Sequence, residues 1–419
     1  MRRLSGAFLV FLAIGPAAAL GEQRFPPPDF TNHKLPATEQ PAVAPLAWEY
    51  LDLGVLAAGL GLAAWLALVR RSRRGLFLVS LGALVWLGFV RKGCICPIGS
   101  IQNVALAVAD PGYAIPWSVV GFFVLPLVVA LFAGRVFCAA VCPLGAAQEM
   151  VALRPVRVPR WVDQVLGLLP YVYLGAAVLL AASGTAFVVC RYDPFVGFFR
   201  RNASVNMLVF GASLLAIGVF VGRPYCRYLC PYGALLRLVS PLARWHVRIP
   251  PRECIQCRLC EDACPYGAIR EPSVGQLSGD RRAARRGLLV ALGLLPALVV
   301  LGAMVGSRTG GALALMHPTV RLAERVFQEE RGLVEGTTDA SDAFRRTGRA
   351  SDALYVEALS WSRQFGRNGT WLGAWIGLVL GVKLVHLATH RRRTDFEPDR
   401  AGCVSCGRCF WYCPEKSEK

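Results

Sequence analysis

The stretch that decides the fold reads GRPYCRYLCPYGALLRL from Gly222 to Leu238 and, after a short basic connector, CIQCRLCEDACPYGAI from Cys254 to Ile269. The first part follows an apolar segment with the pattern C-x3-C-P. The second part has the spacing C-x2-C-x2-C-x3-C-P, in which three thiolates of one loop converge on one iron–sulfur cubane and the fourth serves another cluster. Four cysteines could also close a zinc site, but the CP ending and a second copy of the motif favour iron–sulfur.

The second copy lies at the end of the sequence, where the same cysteine spacing is followed by Pro414. In two-cluster ferredoxins the fourth cysteine of each motif ligates the other cluster. We therefore expect two [4Fe–4S] clusters with crossed ligands. The first would be held by Cys254, Cys257, Cys260 and Cys413, and the second by Cys403, Cys406, Cys409 and Cys264.

Hydrophobic residues make up 55% of the 419 residues, which indicates a membrane protein. Seven apolar segments approach the ~20 residues that a spanning helix needs. They cover approximately residues 51–69, 75–90, 115–133, 165–182, 205–221, 287–305 and 371–389. The predicted fold is therefore mostly α: a polytopic bundle of about seven transmembrane helices, with a small α+β ferredoxin-like module split by a transmembrane hairpin.

The predicted domains follow from these segments. Residues 1–20 have the basic start, apolar run and small-residue end of a signal peptide, with an uncleaved signal anchor as the alternative. Residues 21–50 are proline-rich and predict an extracytoplasmic arm. We then expect the bundle at 51–245, ferredoxin half 1 at 246–280, a transmembrane hairpin at 281–390 and ferredoxin half 2 at 391–419. The hairpin would enclose a periplasmic loop, 306–370, with one or two short helices.

The net charge of +19 is read as membrane topology rather than as a nucleic-acid surface. If the arm at 21–50 lies outside, every large arginine cluster falls on the cytoplasmic side, as the positive-inside rule requires. Those clusters lie at 70–74, 154–160, 223–227, 281–286 and 391–393, whereas Arg91-Lys92 and Arg200-Arg201 fall outside. The prediction is a protein of the bacterial cytoplasmic (inner) membrane, with a periplasmic N-terminus and a cytoplasmic ferredoxin module.

An internal repeat lies within the bundle. The segment GRVFCAAVCPLGA, Gly134–Ala146, matches GRPYCRYLCPYGA, Gly222–Ala234, in register. Each copy follows a hairpin, so two parallel hairpin repeats would be related by a pseudo-twofold axis along the membrane normal. We call the four thiols that this axis would bring together, at the cytoplasmic end of the bundle, the paired-cysteine site: Cys138, Cys142, Cys226 and Cys230. Soft thiolates favour a metal or iron–sulfur centre, and inert buried thiols are the alternative.

A weaker repeat lies in the two outer loops. CICPIG begins at Cys94, and CRYDPFVG begins at Cys190. The residues that would face one another at the outer end of the bundle form what we call the outer-loop site: Cys94, Cys96, Cys190 and Asp193. Three thiolates with one carboxylate could hold a further metal or iron–sulfur centre. A disulfide, which an oxidising compartment favours, is the alternative.

Taken together, GRVFCAAVCPLGAAQE, YDPF, PYCRYLCPYGA and CIQCRLCEDACP resemble the membrane and iron–sulfur part of the NosR/NirI family, over approximately residues 94–270. The chain also resembles the quinol-dehydrogenase subunit NapH. The resemblance implies quinol- or flavin-linked electron transfer across the cytoplasmic membrane. The flavin-binding domain of NosR is not recognisable in this sequence. A periplasmic flavin- or haem-containing protein is therefore a candidate partner, and quinol a candidate donor.

Two functions are compatible with these patterns. The first is an electron-transfer component of an oxidoreductase system, rather than a stand-alone enzyme, that relays electrons between the cytoplasmic or quinol side and a periplasmic acceptor. The alternative is a membrane protein of regulation or assembly whose clusters report redox or iron state. The sequence has no phosphate-binding loop, dinucleotide fingerprint, haem-attachment motif or Ser-His-Asp pattern.

Overall fold

The computed structural model describes residues 46–93, 96–249, 254–272, 281–315, 317–389 and 395–414. The predicted signal peptide and most of the arm lie outside these ranges, as does Cys94. The structure is mostly helical, with 72% helix and 1% strand. The helices are α1 (Leu46–Leu68), α2 (Arg73–Ala83), α3 (Pro97–Ala109), α4 (Trp117–Ala133), α5 (Pro143–Val151), α6 (Arg160–Leu166), α7 (Leu169–Ala182), α8 (Val188–Tyr192), α9 (Pro194–Arg200), α10 (Val205–Gly218), α11 (Pro224–Tyr228), α12 (Pro231–Val239), α13 (Leu259–Asp262), α14 (Arg281–Ala314), α15 (Pro318–Glu330), α16 (Asp339–Arg346), α17 (Ser351–Ala388) and α18 (Arg408–Tyr412).

Within the described residues, five helical segments are long and apolar enough to cross a membrane. They are 47–68, 73–90, 160–182, 285–314 and 351–388, where 73–90 joins α2 to a π-helical turn and 160–182 joins α6 to α7. The predicted spans at 115–133 and 205–221 coincide with α4 and α10, which are apolar but shorter. Several helices thus fit a membrane span by length and composition, and they are more unequal in length than the sequence predicts.

The two copies of the internal repeat are re-entrant segments. The first begins where Arg135 donates to the carbonyl of Ala401 and ends where Glu149 meets Arg408. Between these points Val141 packs on Gly59, in the middle of α1. The second copy begins with Gly222 against Pro265 and ends where Ser240 donates to the carbonyl of Arg400, 2.6 Å away. Each copy therefore starts and ends against the ferredoxin-like module and places its cysteines inside the bundle.

A glycine-lined helix hairpin separates the two ferredoxin halves. Gly302 and Gly306 of α14 lie against the backbone of Gly373 and Gly369 of α17, where a Cβ atom would collide with main-chain atoms. Small residues at this spacing allow close helix packing in membranes. Both ends of the predicted loop 306–370 are helical, because α14 continues to Ala314 and α17 already begins at Ser351.

The shortened loop carries the short helices that the sequence predicts, α15 and α16. A small hydrophobic core of its own, including Val326, Phe344 and Leu354, holds them to the start of α17. Thr338 caps α16 in a reciprocal capping box with Ser341. This lobe shares no part of the larger core around the cysteines.

The two ferredoxin halves form one module. Strand β1 (Ile269–Arg270) pairs antiparallel with β2 (Glu397–Pro398), and the amide of Asp399 donates to the carbonyl of Ala268 at 2.7 Å. Helix α13 packs against α18. The module and the bundle share one hydrophobic core, which runs from Leu56 of α1 to Phe410 of α18. The hairpin thus returns the chain to the side where the first half lies.

Candidate functional site

A cavity in the ferredoxin module is lined by the four cysteines predicted for the second cluster: Cys264, Cys403, Cys406 and Cys409. The thiols of Cys403, Cys406 and Cys264 all interact electrostatically with that of Cys409. The amides of Ala268 and Ser405 donate to the sulfurs of Cys264 and Cys403 at 3.4 Å. One thiol from the first half therefore joins three from the second, which is the arrangement that crossed ligation needs.

The other predicted set is less tightly enclosed. Cys254 and Cys257 interact electrostatically with Cys260, which is buried at α13. Cys413 is buried at the C-terminal cap of α18, the helix that packs against α13. The three thiols of the first motif thus lie together, and the helix packing brings the element that carries their predicted fourth partner beside them.

Ionisation of the module's thiols is unfavourable in the protein alone. Burial raises the pKa of the Cys403 thiol to about 12, against the hydrogen bond from the amide of Ser405. Burial also raises the pKa of Cys260 to about 11. A bound cation reverses this, because its charge stabilises the thiolate.

The structure brings the four thiols of the paired-cysteine site together inside the bundle. Cys138, Cys142 and Cys226 all interact electrostatically with Cys230. Cys142 and Cys230 each precede a proline and form the N-terminal caps of α5 and α12. The extended backbone before proline favours this position, and the positive end of each helix faces the thiols.

Hydrogen-bond donors surround the sulfurs of this site. The side-chain amide of Gln148 donates to Cys226 Sγ at 3.2 Å, and the backbone amide of Gly233 donates to Cys230 Sγ at 3.2 Å. The guanidinium of Arg135 lies 3.8 Å from Cys138 Sγ. Each donor stabilises negative charge on sulfur, whether of a thiolate or of a cluster.

A buried ion cluster joins this site to the ferredoxin module. Glu149 of α5 accepts from Arg73, from Arg223 at 3.1 Å and from Arg408 at 2.8 Å. The hydroxyl of Tyr266 donates to the same carboxylate at 2.9 Å. Burial alone would raise the pKa of Glu149, but the three guanidinium groups hold it well below its usual range. Residues of bundle and module thus share one ion cluster.

Arg223 connects the two groups of thiols. Its guanidinium donates to the carbonyls of Cys138 and Ala139, and its side chain interacts electrostatically with both Cys226 and Cys406. Cys406 belongs to the module, and its carbonyl accepts from Arg73 at 2.9 Å. The paired-cysteine site therefore directly adjoins the cavity of the predicted second cluster.

Three of the four residues of the outer-loop site also lie together. Asp193 and Cys190 both interact electrostatically with Cys96. Asp193 is 4% exposed, and the hydroxyl of Tyr225 donates to its carboxylate at 2.8 Å. Cys96 and Cys190 have free thiols and are not joined by a disulfide. The fourth residue, Cys94, lies outside the described residues.

One side chain connects the two membrane sites. The sequence places these sites at opposite ends of the bundle. Tyr225, which precedes Cys226 of the paired-cysteine site, donates through its hydroxyl to the carboxylate of Asp193 in the outer-loop site at 2.8 Å. The two sites are therefore in contact through this side chain.

Comparison with known proteins agrees with this architecture. A family profile described as a 4Fe–4S binding domain matches residues 115–161 and again 204–250, one match to each copy of the repeat. A second profile with the same description matches residues 247–270. The profile matches thus fall on the two copies of the repeat and on the first ferredoxin half.

Individual proteins give the same result. The chain is 31% identical over 220 residues to NirI of Paracoccus denitrificans, 30% over 156 residues to the electron transport protein YccM of Escherichia coli, and 28% over 210 residues to the regulatory protein NosR of Pseudomonas aeruginosa. Over this part of its length the chain is similar to the NosR and NirI proteins. The matches cover 48%, 33% and 44% of this chain, but 31%, 43% and 28% of the relatives, so it spans less than half of each. No solved structure matches the chain.

The donor sets of this chain fit [4Fe–4S] clusters, the cofactor that the family profiles specify. The cavity in the module offers four thiols, which is the ligand set of a cubane. Among the described residues, no three His, Cys, Asp or Glu side chains converge as the ligands of a single metal ion would. The fit to a cluster therefore rests on the identity and grouping of the thiols.

Sequence reasoning missed the residues that hold the sites together. Glu149 and Gln148 follow the first CP motif, and Tyr225 precedes Cys226 in the second. The sequence feature that could have identified them is a polar residue on the buried side of a short, otherwise apolar helix. These side chains connect the predicted iron–sulfur sites to one another.

Proposed function

We propose that the protein carries electrons across the membrane between its ferredoxin module and the outer-loop site, through the paired-cysteine site. In this proposal the module holds two [4Fe–4S] clusters with crossed ligands, and further iron–sulfur or metal centres are held at both membrane sites. The bound clusters supply one-electron chemistry. The proposed domains are those predicted from the sequence, except that the hairpin runs from Arg281 of α14 to Ala388 of α17.

One observation carries the proposal: the groups of thiols are neighbours in an unbroken series. Arg223 donates to the carbonyl of Cys138 and to Glu149, and Glu149 also accepts from Arg408 of the module. Tyr225, next to Cys226, donates to Asp193 of the outer-loop site. The hydrocarbon core is ~30 Å thick, which is too far for one efficient tunnelling step. A series of neighbouring sites divides that distance into short steps.

The protein's own residues would keep this path dry and rigid. Arg223 is 1% exposed and fills the space between the two groups of thiols. Glu149 balances part of the positive charge of the arginines around it, so that the guanidinium groups stay paired where the module meets the bundle. The sulfur-directed hydrogen bonds at the paired-cysteine site stabilise the reduced state of a cluster held there.

Orientation and partners follow from charge and from the relatives. The arginine clusters support a cytoplasmic ferredoxin module and a periplasmic N-terminus in the bacterial cytoplasmic membrane. YccM is named as an electron transport protein. We propose a cytoplasmic protein or quinol at the module, and a periplasmic flavin- or haem-containing protein at the outer-loop site.

Sealed membrane vesicles that contain the full-length protein test the proposal. The module is reduced chemically from its own side, and reduction of an electron acceptor trapped on the other side is followed. The Cys142→Ser variant should lose iron beyond that of the ferredoxin clusters, and its transfer rate should fall at least tenfold. Ala147→Ser adds a hydroxyl to the same helix and should leave both values unchanged. A parental rate in folded Cys142→Ser would refute the relay.

Regulation or assembly is the second candidate function. The observation that favours it is the name of the relative NosR, a regulatory protein that is 28% identical over 210 residues. A sensor needs its clusters to change state but needs no sustained turnover. Clusters that are reversibly reduced in the vesicles, without any steady transfer to the trapped acceptor, would support this second function.

A further inference from the structure

Each of the two membrane sites contains a copy of the same seven-residue motif, although one copy lies outside the internal repeat. CPIGSIQ runs from Cys96 to Gln102, and CPLGAAQ runs from Cys142 to Gln148. In both, the cysteine caps a helix, the proline is its first residue and the glutamine lies one and a half turns later. Gln102 and Gln148 are each 0% exposed.

At the paired-cysteine site every polar group of the glutamine is used. The carbonyl oxygen of the Gln148 side chain accepts from the backbone amide of Tyr225 at 3.0 Å. Its Nε2 donates to the carbonyl of Leu144 at 3.0 Å and to Cys226 Sγ at 3.2 Å. The first bond fixes the orientation of the amide, so that the donor is directed at the sulfur.

At the outer-loop site only one half of this hydrogen-bonding pattern is present. The carbonyl oxygen of the Gln102 side chain accepts from the backbone amide of Cys190 at 3.2 Å. Its Nε2 is buried and has no hydrogen-bond partner among the described residues. A buried donor without an acceptor costs roughly 1–3 kcal/mol. The amide is held beside Cys190, where a sulfur would complete the pattern seen at Gln148.

We propose that Gln102 and Gln148 are matched positioning residues, whose amides donate N–H···S hydrogen bonds to the sulfurs of two iron–sulfur centres, one at each membrane site. This inference rests on the proposed centres of the relay. Hydrogen bonds to sulfur are one of the factors that set the reduction potential of a cluster, because they stabilise the more negative, reduced state. Loss of either amide should therefore lower the potential of its own centre.

The test is a redox titration of the purified full-length protein in lipid nanodiscs, followed by electron paramagnetic resonance. Cys142→Ser and Cys190→Ser variants assign the two membrane signals. Gln148→Met should lower the midpoint potential of the paired-cysteine centre, and Gln102→Met that of the outer-loop centre. At the parental midpoint, the ratio of oxidised to reduced centre should rise about tenfold, the effect of losing one hydrogen bond to a charged group, which is about 59 mV for one electron.

Matched variants separate positioning from packing. Gln102→Glu and Gln148→Glu keep the length of the side chain and the oxygen acceptor but lose the amide donor, so their potentials should fall too. Gln364→Met, in α17, should change nothing. Loss of iron from one membrane centre alone would also support the proposal. Unchanged potentials with full iron content in both pairs of variants would overturn it. Parental protein without any membrane signal would instead refute the proposed centres, and this inference with them.

Discussion

The ferredoxin module and the membrane repeat both gather cysteines, but they do so by different means. In the module, short cysteine spacing forms each half, and the two halves meet through the β1–β2 ladder and the packing of α13 on α18. In the bundle, each pair of cysteines is carried inwards by a re-entrant segment, and buried polar side chains hold the pairs in place. Spacing along the chain thus reveals the ligands of the module, whereas depth in the bundle depends on contacts that spacing does not encode.

The largest difference between the two regions concerns which cluster each cysteine ligates. In the module, one cysteine of each half should serve the cluster of the other. Cys264→Ser should therefore abolish the cluster of the second motif while the first remains, and Cys413→Ser should do the reverse. The measurement is iron content together with Mössbauer or paramagnetic resonance spectra of each purified variant.

Val404 lies between the cysteines of the second motif, and Val404→Ala provides a control that should retain both clusters. If Cys264→Ser instead removed the cluster of its own motif, the ligation would be uncrossed. The cavity that Cys264 shares with the second motif would then need another explanation.

The sequence predicts the module better than the bundle for a physical reason. The C-x2-C-x2-C-x3-C-P spacing is itself a geometric constraint, so the grouping of Cys264 with Cys403 could be predicted before any contact was known. The contact between Tyr225 and Asp193 could not, since hydrophobicity reports that a segment is buried but not whether it crosses or turns back. The extension of α14 and α17 beyond their apolar windows was missed because glycine-on-glycine packing, rather than apolar side chains, holds these helices together.

The second contrast lies in the ion cluster where the two regions meet. Glu149→Gln keeps the shape of the side chain but leaves Arg73, Arg223 and Arg408 without their shared negative charge. Removing one partner from a buried ion cluster costs roughly 3–5 kcal/mol. We expect the module to separate from the bundle, with faster hydrogen exchange at 396–410 and slower electron transfer in vesicles. Glu357→Gln, in an exposed ion pair with Arg349, is the control.

The pH dependence of this contact follows from the lowered pKa of Glu149. A carboxyl whose pKa is lower in the folded protein stabilises it fully above the unfolded value of ~4.3. That stability is lost only as pH falls through the lower, folded pKa. The protection of amides at 396–410 against hydrogen exchange, relative to the intrinsic rate at each pH, should therefore stay constant between pH 7 and pH 5. Exposure of the module already at pH 6 would contradict the role of Glu149.

A third test breaks the hairpin that lets the halves of the module meet. Gly306→Leu places a side chain against the backbone of Gly369, which should cost about 1–3 kcal/mol or more by overpacking. We expect lower thermal stability and partial loss of the two ferredoxin clusters, while the centres in the bundle persist. Gly311→Leu, at a position of α14 with open space around it, is the matched control. Equal behaviour of the two variants would show that close glycine packing is not needed.

The smallest expected effect concerns the contact between the two membrane sites. The hydroxyl of Tyr225 donates to Asp193 at 2.8 Å, and the other oxygen of that carboxylate accepts from the amide of Phe195 at 2.9 Å. Tyr225→Phe removes one of these bonds and should cost about 1 kcal/mol, because the remaining bond still holds Asp193. If Asp193 belongs to a redox centre, the change should alter the signal of the outer-loop site and leave those of the module unchanged.

A matched change separates this effect from packing in the same region. Tyr228→Phe, in the same short helix, removes a hydroxyl that donates to the carboxylate of Asp163 at 2.9 Å, and should leave the signal of the outer-loop site unaltered. A titration by paramagnetic resonance on both variants is the measurement. If the two variants behave alike, Tyr225 contributes only packing. A shift in Tyr225→Phe alone would mean that one side chain, next to a cysteine of one site, adjusts the electrostatics of the other, as the hydrogen bond between Tyr225 and Asp193 predicts.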